Sequence, residues 1–394
     1  MTFPTADRLG SVEEYYFSRK LKEIAALRAA GHTVLNLGIG SPDRPPAPAV
    51  VRALTESAQR PDVHAYQAYV GLPELRRAIA EWYARWYEVS LDPTDEILPM
   101  IGSKEAIMHL SMTYLQAGDE VLVPDPGYPT YQSVTRLTGA TVRPYTLRSE
   151  NGYQPDLDAL KASDLSRVKV CWINYPHMPT GAAADPMVLT ELIQLAKAHK
   201  FLIVNDNPYS FIGSTSPFSI LQLPGAREVC LELNSLSKSH NMAGWRVGML
   251  VGRAELVQPV LRFKSNMDSG QFKPTQLAAI KALELGKDWY AEQNRVYAER
   301  RTVAAALLQQ LGCTVAAGQQ GLFVWARVPT TYADAYALSD AVLDRARVFL
   351  TPGGIFGEAG TDYLRISLCA PVNTYRTAAT RLTAAGWPKT EVHG

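Results

Sequence analysis

Between about residues 98 and 252, short apolar runs alternate with stretches that have helical spacing. Strands are predicted by the runs at 120–124, 140–145, 168–174, 201–206, 229–235 and 247–252. Helical patterns lie between several of these runs, as at 104–116 and 187–199. Continuous apolar strands separated by helices are typical of a mainly parallel sheet that helices cover on both faces. We therefore predict an α/β fold with a large domain built on such a sheet.

The pattern changes after about residue 285, where a long charged helix and then a mixed α+β remainder are predicted. A chain of 394 residues is also longer than one hydrophobic core usually supports. We predict an N-terminal arm over residues 1–47 that is part of the small domain, a large domain over 48–285, and a small C-terminal domain over 286–394. A helical pattern at 12–30 lies within the arm.

Composition excludes several classes of protein. Lys and Arg total 39 against 38 Asp and Glu, which argues against a nucleic-acid binder that relies on bulk charge. We find neither a run of about 18 apolar residues for a membrane span nor metal-ligand spacing among the histidines, so no membrane partner and no metal site are predicted. The four cysteines are widely scattered, which indicates a reduced, cytoplasmic protein.

The run SLSKSHNMAGWRVG at 235–248 concentrates polar chemistry in one connection between two predicted strands. Open α/β sheets bind ligands where their strands end. The hydroxyls of Ser235 and Ser237, with Lys238 and Arg246, could hold a phosphate and form an imine with an aldehyde. Taken alone, the run is also compatible with a solvated loop.

Two further segments carry groups that could bind the same kind of ligand, a phosphate attached to an aromatic ring. A predicted strand delivers Asp206 and, three residues on, Tyr209. An ionised carboxylate beside a pyridine nitrogen keeps that nitrogen protonated, although aspartates at strand ends also form turns and caps. Gly102 and Ser103 open a predicted helix, and the unpaired N–H groups of a helix start bind phosphate, as those of any helix start can.

Together these segments resemble the class I and II aminotransferases, enzymes of fold type I that depend on pyridoxal phosphate, and most of all the subgroup of LL-diaminopimelate, alanine and aspartate aminotransferases. The resemblance covers nearly the whole chain and rests on S-x-S-K followed by G-x-R-x-G, with D-x-x-Y upstream. It implies that Lys238 is the Schiff-base lysine and that Asp206 pairs with the pyridine nitrogen. The other cofactor contacts that it implies are Tyr209 at the phenolic oxygen, Tyr128 stacked on the ring, and Gly102, Ser103, Lys104, Ser235, Ser237 and Arg246 around the phosphate.

The same resemblance implies substrate and subunit contacts. The segment LGIGSPDRPPAP places Gly40 near the substrate carboxylate, and TPGGIFGEAGTDYLRISL places Arg365 as its bidentate clamp. A solvent-facing strand arginine is the alternative interpretation of Arg365. In HAYQAYVG, Tyr66 would reach the phosphate of the neighbouring subunit, which implies a homodimer with shared active sites.

The implied activity is transamination between an L-amino acid and a 2-oxo acid, by a ping-pong mechanism through Lys238. Another pyridoxal phosphate reaction on the same fold, such as C–S lysis, decarboxylation or racemisation, stays open because these motifs do not distinguish which substrate bond is broken. A non-catalytic protein that binds the cofactor and acts as a regulator is the alternative from a different class. The motifs leave the identity of the substrate side chain open.

One position departs from the family pattern N-P-x-N-P-T-G, because this chain reads NYPHMPTG at 174–181. Met178 occupies the place of an asparagine that donates a hydrogen bond to the phenolic oxygen of the cofactor. A thioether cannot donate, so this oxygen would depend on Tyr209 unless His177 or a water replaces the donor. A methionine that merely fills an apolar gap is the alternative interpretation.

The first hypothesis predicts that Met178→Asn lowers the pKa of the imine that Lys238 forms with the cofactor, because the asparagine stabilises the phenolate. A spectrophotometric pH titration of the wild-type and variant holoenzymes measures this pKa. An unchanged or higher pKa in the variant contradicts the hypothesis.

Overall fold

The structure is a computed structural model, and it describes residues 3–12, 14, 16–214 and 216–388. Its strands are β1 Leu35–Asn36, β2 Ile97–Met100, β3 Glu120–Asp125, β4 Thr141–Thr146, β5 Val168–Ile173, β6 Leu202–Asp206, β7 Cys230–Ser235, β8 Gly248–Gly252, β9 Thr314–Val315, β10 Phe323–Arg327, β11 Val348–Phe349, β12 Thr351–Pro352 and β13 Tyr363–Ser367.

The helices are α1 Tyr16–Ala29, α2 Pro48–Ala58, α3 Pro73–Tyr87, α4 Ser103–Tyr114, α5 Pro129–Leu137, α6 Leu157–Lys161, α7 Pro186–His199, α8 Ala226–Val229, α9 Leu236–Ser239, α10 Ala254–Lys264, α11 Lys273–Leu283, α12 Lys287–Gln310, α13 Ala335–Ala346 and α14 Val372–Ala384. Among the described helices, none combines the length and the apolar character needed to cross a membrane.

A seven-stranded sheet with the strand order β2-β8-β7-β6-β5-β3-β4 forms the centre of the larger part of the chain. Strands β4, β3, β5, β6 and β7 pair in parallel, whereas β8 is antiparallel to both of its neighbours. The predicted α/β fold with a mainly parallel sheet is confirmed.

Helices cover both faces of this sheet, which explains why its inner strands are largely apolar. On β5, Cys171 and Ile173 belong to a core that includes residues of α3 and α7. Val170 and Trp172 point to the opposite face and belong to a second core with residues of α4 and α10. Because successive strand side chains point to opposite faces, both alternating positions are buried.

A four-stranded antiparallel sheet with the order β12-β13-β10-β9 lies in the C-terminal part of the chain. Its core includes residues of α12, α13 and α14, such as Leu307, Leu338 and Leu382. Strand β1 pairs in parallel with β11, which joins the N-terminal segment to this part. The division of the chain at residues 47 and 285 stays a prediction, although the pairing of β1 with β11 supports it.

The sequence analysis missed strand β2 at Ile97–Met100. Its run ILPM contains Pro99, which has no backbone N–H group to donate to a neighbouring strand. A proline in the run therefore argued against a strand inside the sheet. The structure places β2 at the edge of the seven-stranded sheet, where it pairs only with β8. A proline is tolerated there because one side of an edge strand makes no ladder hydrogen bonds.

Candidate active site

A cavity of about 460 Å³ opens where the parallel strands end. Strand β6 ends at Asp206, β7 ends at Ser235, and β5 is followed directly by Asn174. Side chains of Phe323 and Arg365, on strands of the four-stranded sheet, line the same cavity. The cavity has the position and size expected of a small-molecule site in an open α/β sheet.

Lys238 lies in the short helix α9 and lines this cavity. Its Nζ donates a hydrogen bond to the carbonyl oxygen of Gly40 at 2.6 Å. Burial lowers the pKa of Lys238, and the nearby positive charges of Arg365 and Arg246 lower it further. The amine is therefore easier to deprotonate than that of an exposed lysine, as a nucleophilic or basic lysine requires.

Asp206 presents one carboxylate oxygen without a partner. Its Oδ2 accepts a hydrogen bond from the hydroxyl of Tyr131 at 2.9 Å, whereas Oδ1 is buried and has no hydrogen-bond partner among the described residues. Burial raises the pKa of Asp206 to about 6, although the hydroxyl groups of Tyr131 and of the nearby Ser103 oppose that shift. A cationic N–H group at Oδ1 would satisfy this oxygen and favour its ionised form.

A turn before α4 packs against the guanidinium group of Arg246. Gly102 has a φ of 79°, and a Cβ atom at this position would lie only 2.3 Å from Nη2 of Arg246. Only glycine therefore permits both this backbone conformation and this close approach. The guanidinium also donates to the carbonyl oxygen of Ala243 at 2.9 Å, so that Arg246 lies next to the start of the helix.

Ser235 and Ser237 line the cavity, as do the two residues after Gly102. Ser235 Oγ caps α9 by accepting from the N–H of Ser237 at 3.1 Å and lies 2.8 Å from Ser237 Oγ. Ser103 and Lys104 are the first two residues of α4. These side chains, the helix start and Arg246 together form an arrangement suited to a phosphate group.

Arg365 is 4% exposed and points inward from β13, so it is not a solvent-facing strand residue. Its Nη2 donates to the carbonyl oxygen of Gly38 at 2.8 Å. The guanidinium carbon lies 3.9 Å from the ring centre of Phe323 and 4.5 Å from that of Phe356. Aromatic faces stabilise the cation and fix its plane.

Met178 contacts the guanidinium group of Arg365, with 3.3 Å between its Sδ and Nη1. His177, the alternative donor in the sequence analysis, is not among the residues that line the cavity, and its Nδ1 lies 2.8 Å from the hydroxyl of Thr180. Tyr128 and Tyr209 both line the cavity, and burial raises the pKa of each. Both phenols therefore stay protonated and can act as hydrogen-bond donors.

Tyr66 lies away from the cavity of its own subunit and is 94% exposed. Gly102 does not line the cavity either, but it directly precedes the lining residue Ser103 and packs against Arg246. Gly40 lines the cavity with backbone atoms. The remaining predicted residues, which line the cavity together, are Ser103, Lys104, Tyr128, Met178, Asp206, Tyr209, Ser235, Ser237, Lys238, Arg246 and Arg365.

Sequence reasoning missed two cavity residues that hold Asp206. Tyr131 donates to its carboxylate, and the side-chain amide of Asn174 donates to its backbone oxygen. Asn174 was detectable in principle, because it directly follows a predicted strand. Tyr131 had no comparable signal, because its role depends on the packing of its ring against Trp172, with ring centres 4.9 Å apart.

A buried ion-pair network behind the turn at Gly102 was also missed. Glu105 Oε2 accepts from the backbone N–H of Ile101 at 3.0 Å, and its Oε1 lies 2.7 Å from His109 Nε2. Lys264, which is 1% exposed, places its Nζ 3.4 Å from Glu105 and 2.5 Å from Asp268. Burial opposes the ionisation of Glu105, but His109 and Lys264 lower its pKa to about 2.

Three side chains of this network, those of Glu105, His109 and Asp268, bring potential metal-ligand atoms within 4.8 Å of one another. The ammonium group of Lys264 already supplies a positive charge to both carboxylates. We therefore interpret the cluster as an ion-pair network that fixes the turn before α4 through the hydrogen bond to Ile101.

The described residues fit pyridoxal phosphate. Among the described residues, four basic side chains, those of Lys104, Lys238, Arg246 and Arg365, line the cavity together with the carboxylate of Asp206. Such a predominantly basic lining suits a phosphate and a substrate carboxylate. The buried Oδ1 of Asp206 can pair with a protonated ring nitrogen, and Lys238 can bind the aldehyde.

Comparisons with known proteins agree with this geometry. A family model described as aminotransferase class I and II matches residues 32–382. An LL-diaminopimelate aminotransferase of Nitratidesulfovibrio vulgaris is 39% identical over 383 residues, which cover 96% of this chain and 98% of that protein. One from Dehalococcoides mccartyi is 41% identical over 366 residues, 92% of this chain and 94% of that protein. The substrate-bound structure of BacF from Bacillus subtilis superimposes with a TM-score of 0.93 at 32% identity and covers 100% of both chains.

The network behind the turn predicts that Lys264→Met weakens cofactor binding as well as stability. Removal of one partner from a buried ion pair costs about 3–5 kcal/mol, and the turn at residues 101–104 loses its fixed anchor. We expect a lower free energy of unfolding of the apoprotein and a raised dissociation constant for pyridoxal phosphate, measured by denaturant titration and by fluorescence. Lys281→Met removes an exposed lysine of α11 as the control, and equal effects of the two variants would contradict the role.

Proposed function

The chain belongs to the class I and II aminotransferases, and from that premise we propose the role of each residue around Lys238. Like the other members of this family, it is a pyridoxal-phosphate-dependent enzyme that transfers an amino group between an amino acid and a 2-oxo acid. The observation that carries the proposed roles is that Lys238, Asp206 and Arg365 line one cavity, although they lie far apart in the sequence.

We assign the binding of the cofactor as follows. Asp206 pairs through Oδ1 with the ring nitrogen, and Tyr131 holds the other oxygen in place. Tyr209 donates to the phenolic oxygen, Tyr128 stacks on the ring, and Met178 packs beside it. The phosphate binds at the helix start and its neighbouring cations and hydroxyls, which are Gly102, Ser103, Lys104, Ser235, Ser237 and Arg246.

Arg365 and Lys238 act on the substrate. The guanidinium group of Arg365 binds the α-carboxylate in a bidentate manner, next to the backbone of Gly40. When bound, pyridoxal phosphate supplies an aldehyde that combines with amines and a ring that accepts electrons. Burial lowers the pKa of Lys238, so that its Nζ can remove the α-proton of the substrate and hold that proton as an ammonium group. Asp206 keeps the ring nitrogen protonated throughout.

An exposed apolar patch supports a homodimer with shared active sites. Tyr66 is 94%, Tyr69 47%, Met267 53% and Phe272 45% exposed. An isolated antiparallel bridge between Gln67 and Gly270 brings the two segments that carry these side chains together. Contiguous exposed apolar surface of this kind marks an interface. A second copy that covers it would bury Tyr66, and we assign Tyr66 to the phosphate of that second copy.

The names of the relatives give a first candidate substrate. Proteins named LL-diaminopimelate aminotransferase are 39–41% identical to this chain over at least 92% of its length. These names make LL-diaminopimelate an amino donor that has to be tested against others, with a 2-oxo acid as the acceptor. For location, the four cysteines are free, and three of them are buried. This supports the reduced, cytoplasmic environment that we propose.

Lys238→Ala tests the central role. We expect the variant to keep its fold, to lose the visible absorption of the cofactor bound to lysine, and to lose turnover by about 10³-fold or more, because nucleophile and base are removed together. Circular dichroism, absorption spectra and a coupled assay measure these properties. Lys281→Ala is the control, and turnover that survives in Lys238→Ala would overturn the assignment.

A subunit-mixing experiment tests the shared site. Homodimers of Lys238→Ala and of Tyr66→Ala should both be weakly active, whereas a heterodimer combines an intact Lys238 with an intact Tyr66 at one of its two sites. Random equimolar mixing, by co-refolding of the two chains, should restore about one quarter of the wild-type activity. If activity after mixing equals the mean of the two homodimers, each site uses residues of a single subunit.

A further inference from the structure

One wall of the cavity, beside Arg365, is apolar. It consists of Phe17 and Leu21 on α1, Ile39 beside Gly40, and Phe356. We propose that this wall selects an amino donor with an uncharged, apolar side chain, aromatic or branched aliphatic, and that α1 forms the contact with it. This inference rests on the proposed function and names the substrate class of the same site.

The charged residues of the cavity are already used by the cofactor and by the α-carboxylate. Asp206 serves the ring nitrogen, Lys104 and Arg246 the phosphate, Lys238 the aldehyde, and Arg365 the carboxylate. Within the part of one subunit that the structure describes, no other lysine, arginine, aspartate or glutamate lines the cavity. A distal charge on a substrate side chain that lies against this wall would face the carbon atoms of Phe17, Leu21, Ile39 and Phe356.

The anchors of the substrate direct its side chain towards this wall. Arg365 holds one end, and its guanidinium carbon lies 4.5 Å from the ring centre of Phe356 and 5.8 Å from that of Phe17. Lys238 Nζ lies 2.6 Å from the carbonyl oxygen of Gly40, directly after Ile39. Both anchors are thus bordered by members of the same wall, so that the remaining substituent of the α-carbon lies close to it.

The wall discriminates by desolvation. An apolar side chain gains free energy when it leaves water for this surface, whereas an unpaired charge loses its hydration without compensation. LL-diaminopimelate carries a second ammonium and a second carboxylate at the far end of its side chain, and aspartate and glutamate carry a second carboxylate. We expect leucine, methionine or phenylalanine to react with an efficiency about 100-fold above that of these charged donors.

Single-turnover reactions of the holoenzyme measure this preference without any choice of acceptor. The purified holoenzyme is mixed with leucine, methionine, phenylalanine, aspartate, glutamate or LL-diaminopimelate, and conversion of the bound cofactor to its amine form is followed by absorption. The ratio of the limiting rate to the apparent dissociation constant is compared between donors. A preference for an apolar donor supports the inference, and equal or better reaction of LL-diaminopimelate or a dicarboxylic donor overturns it.

Leu21→Arg tests whether α1 forms the wall. Leu21 is 42% exposed, so that its replacement leaves the cores intact. The new guanidinium group should lower the efficiency with leucine about tenfold or more and raise the efficiency with glutamate. Ala26→Arg adds the same charge at an exposed position of α1 outside the cavity, and it should leave both efficiencies unchanged. If Leu21→Arg behaves like Ala26→Arg, α1 does not contact the substrate.

The outcomes separate this inference from the proposed function. If a charged donor converts the cofactor best, the enzyme is an aminotransferase with a different specificity, and only the inference fails. If no amino acid converts the bound cofactor, the proposed use of Lys238 and Arg365 fails, and the inference fails with it.

Discussion

Among the described residues, four cationic side chains and one carboxylate line the cavity at the end of the seven-stranded sheet, and this concentration of basic groups constrains the rest of the structure. The whole chain carries a formal charge of only +1, so the concentration is local. Arg365 is 4% exposed, and its guanidinium group donates to the carbonyl oxygen of Gly38. Cofactor and substrate bring anionic groups to these basic side chains, so we expect their binding to stabilise the fold itself.

The cavity exists because two packed parts of the chain meet there. Lys238 comes from the connection after β7 and bonds to Gly40, 198 residues earlier, while Arg365 bonds to Gly38 across 327 residues. The segment around residues 38–40 therefore links the amine and the guanidinium group that handle one substrate. Glycine is required at position 40 because a Cβ atom there would lie 2.3 Å from the ring of Phe323.

Much of this was accessible from the sequence, for physical reasons. Strands β3 and β5 to β8 are buried on both faces, so their apolar runs were unambiguous, and polar residues at or just after their ends pointed to Asp206 and Lys238. Strand β2 was missed because Pro99 interrupts its pattern at the sheet edge. The roles of Tyr131 and of the network of Glu105, His109, Lys264 and Asp268 depend on contacts between elements distant in sequence. The apolar wall was missed for the same reason, since Leu21 and Phe356 are far apart in the sequence and line one cavity only after folding.

The assignment of Lys238 is the central claim, and chemical trapping tests it most directly. Borohydride reduces the bond between lysine and pyridoxal phosphate to a stable secondary amine, and mass spectrometry of the digested protein then identifies the modified residue. We predict that the phosphopyridoxyl group is found on the peptide that contains Lys238. Its presence on another cavity lysine such as Lys104, with Lys238 unmodified, would contradict the account.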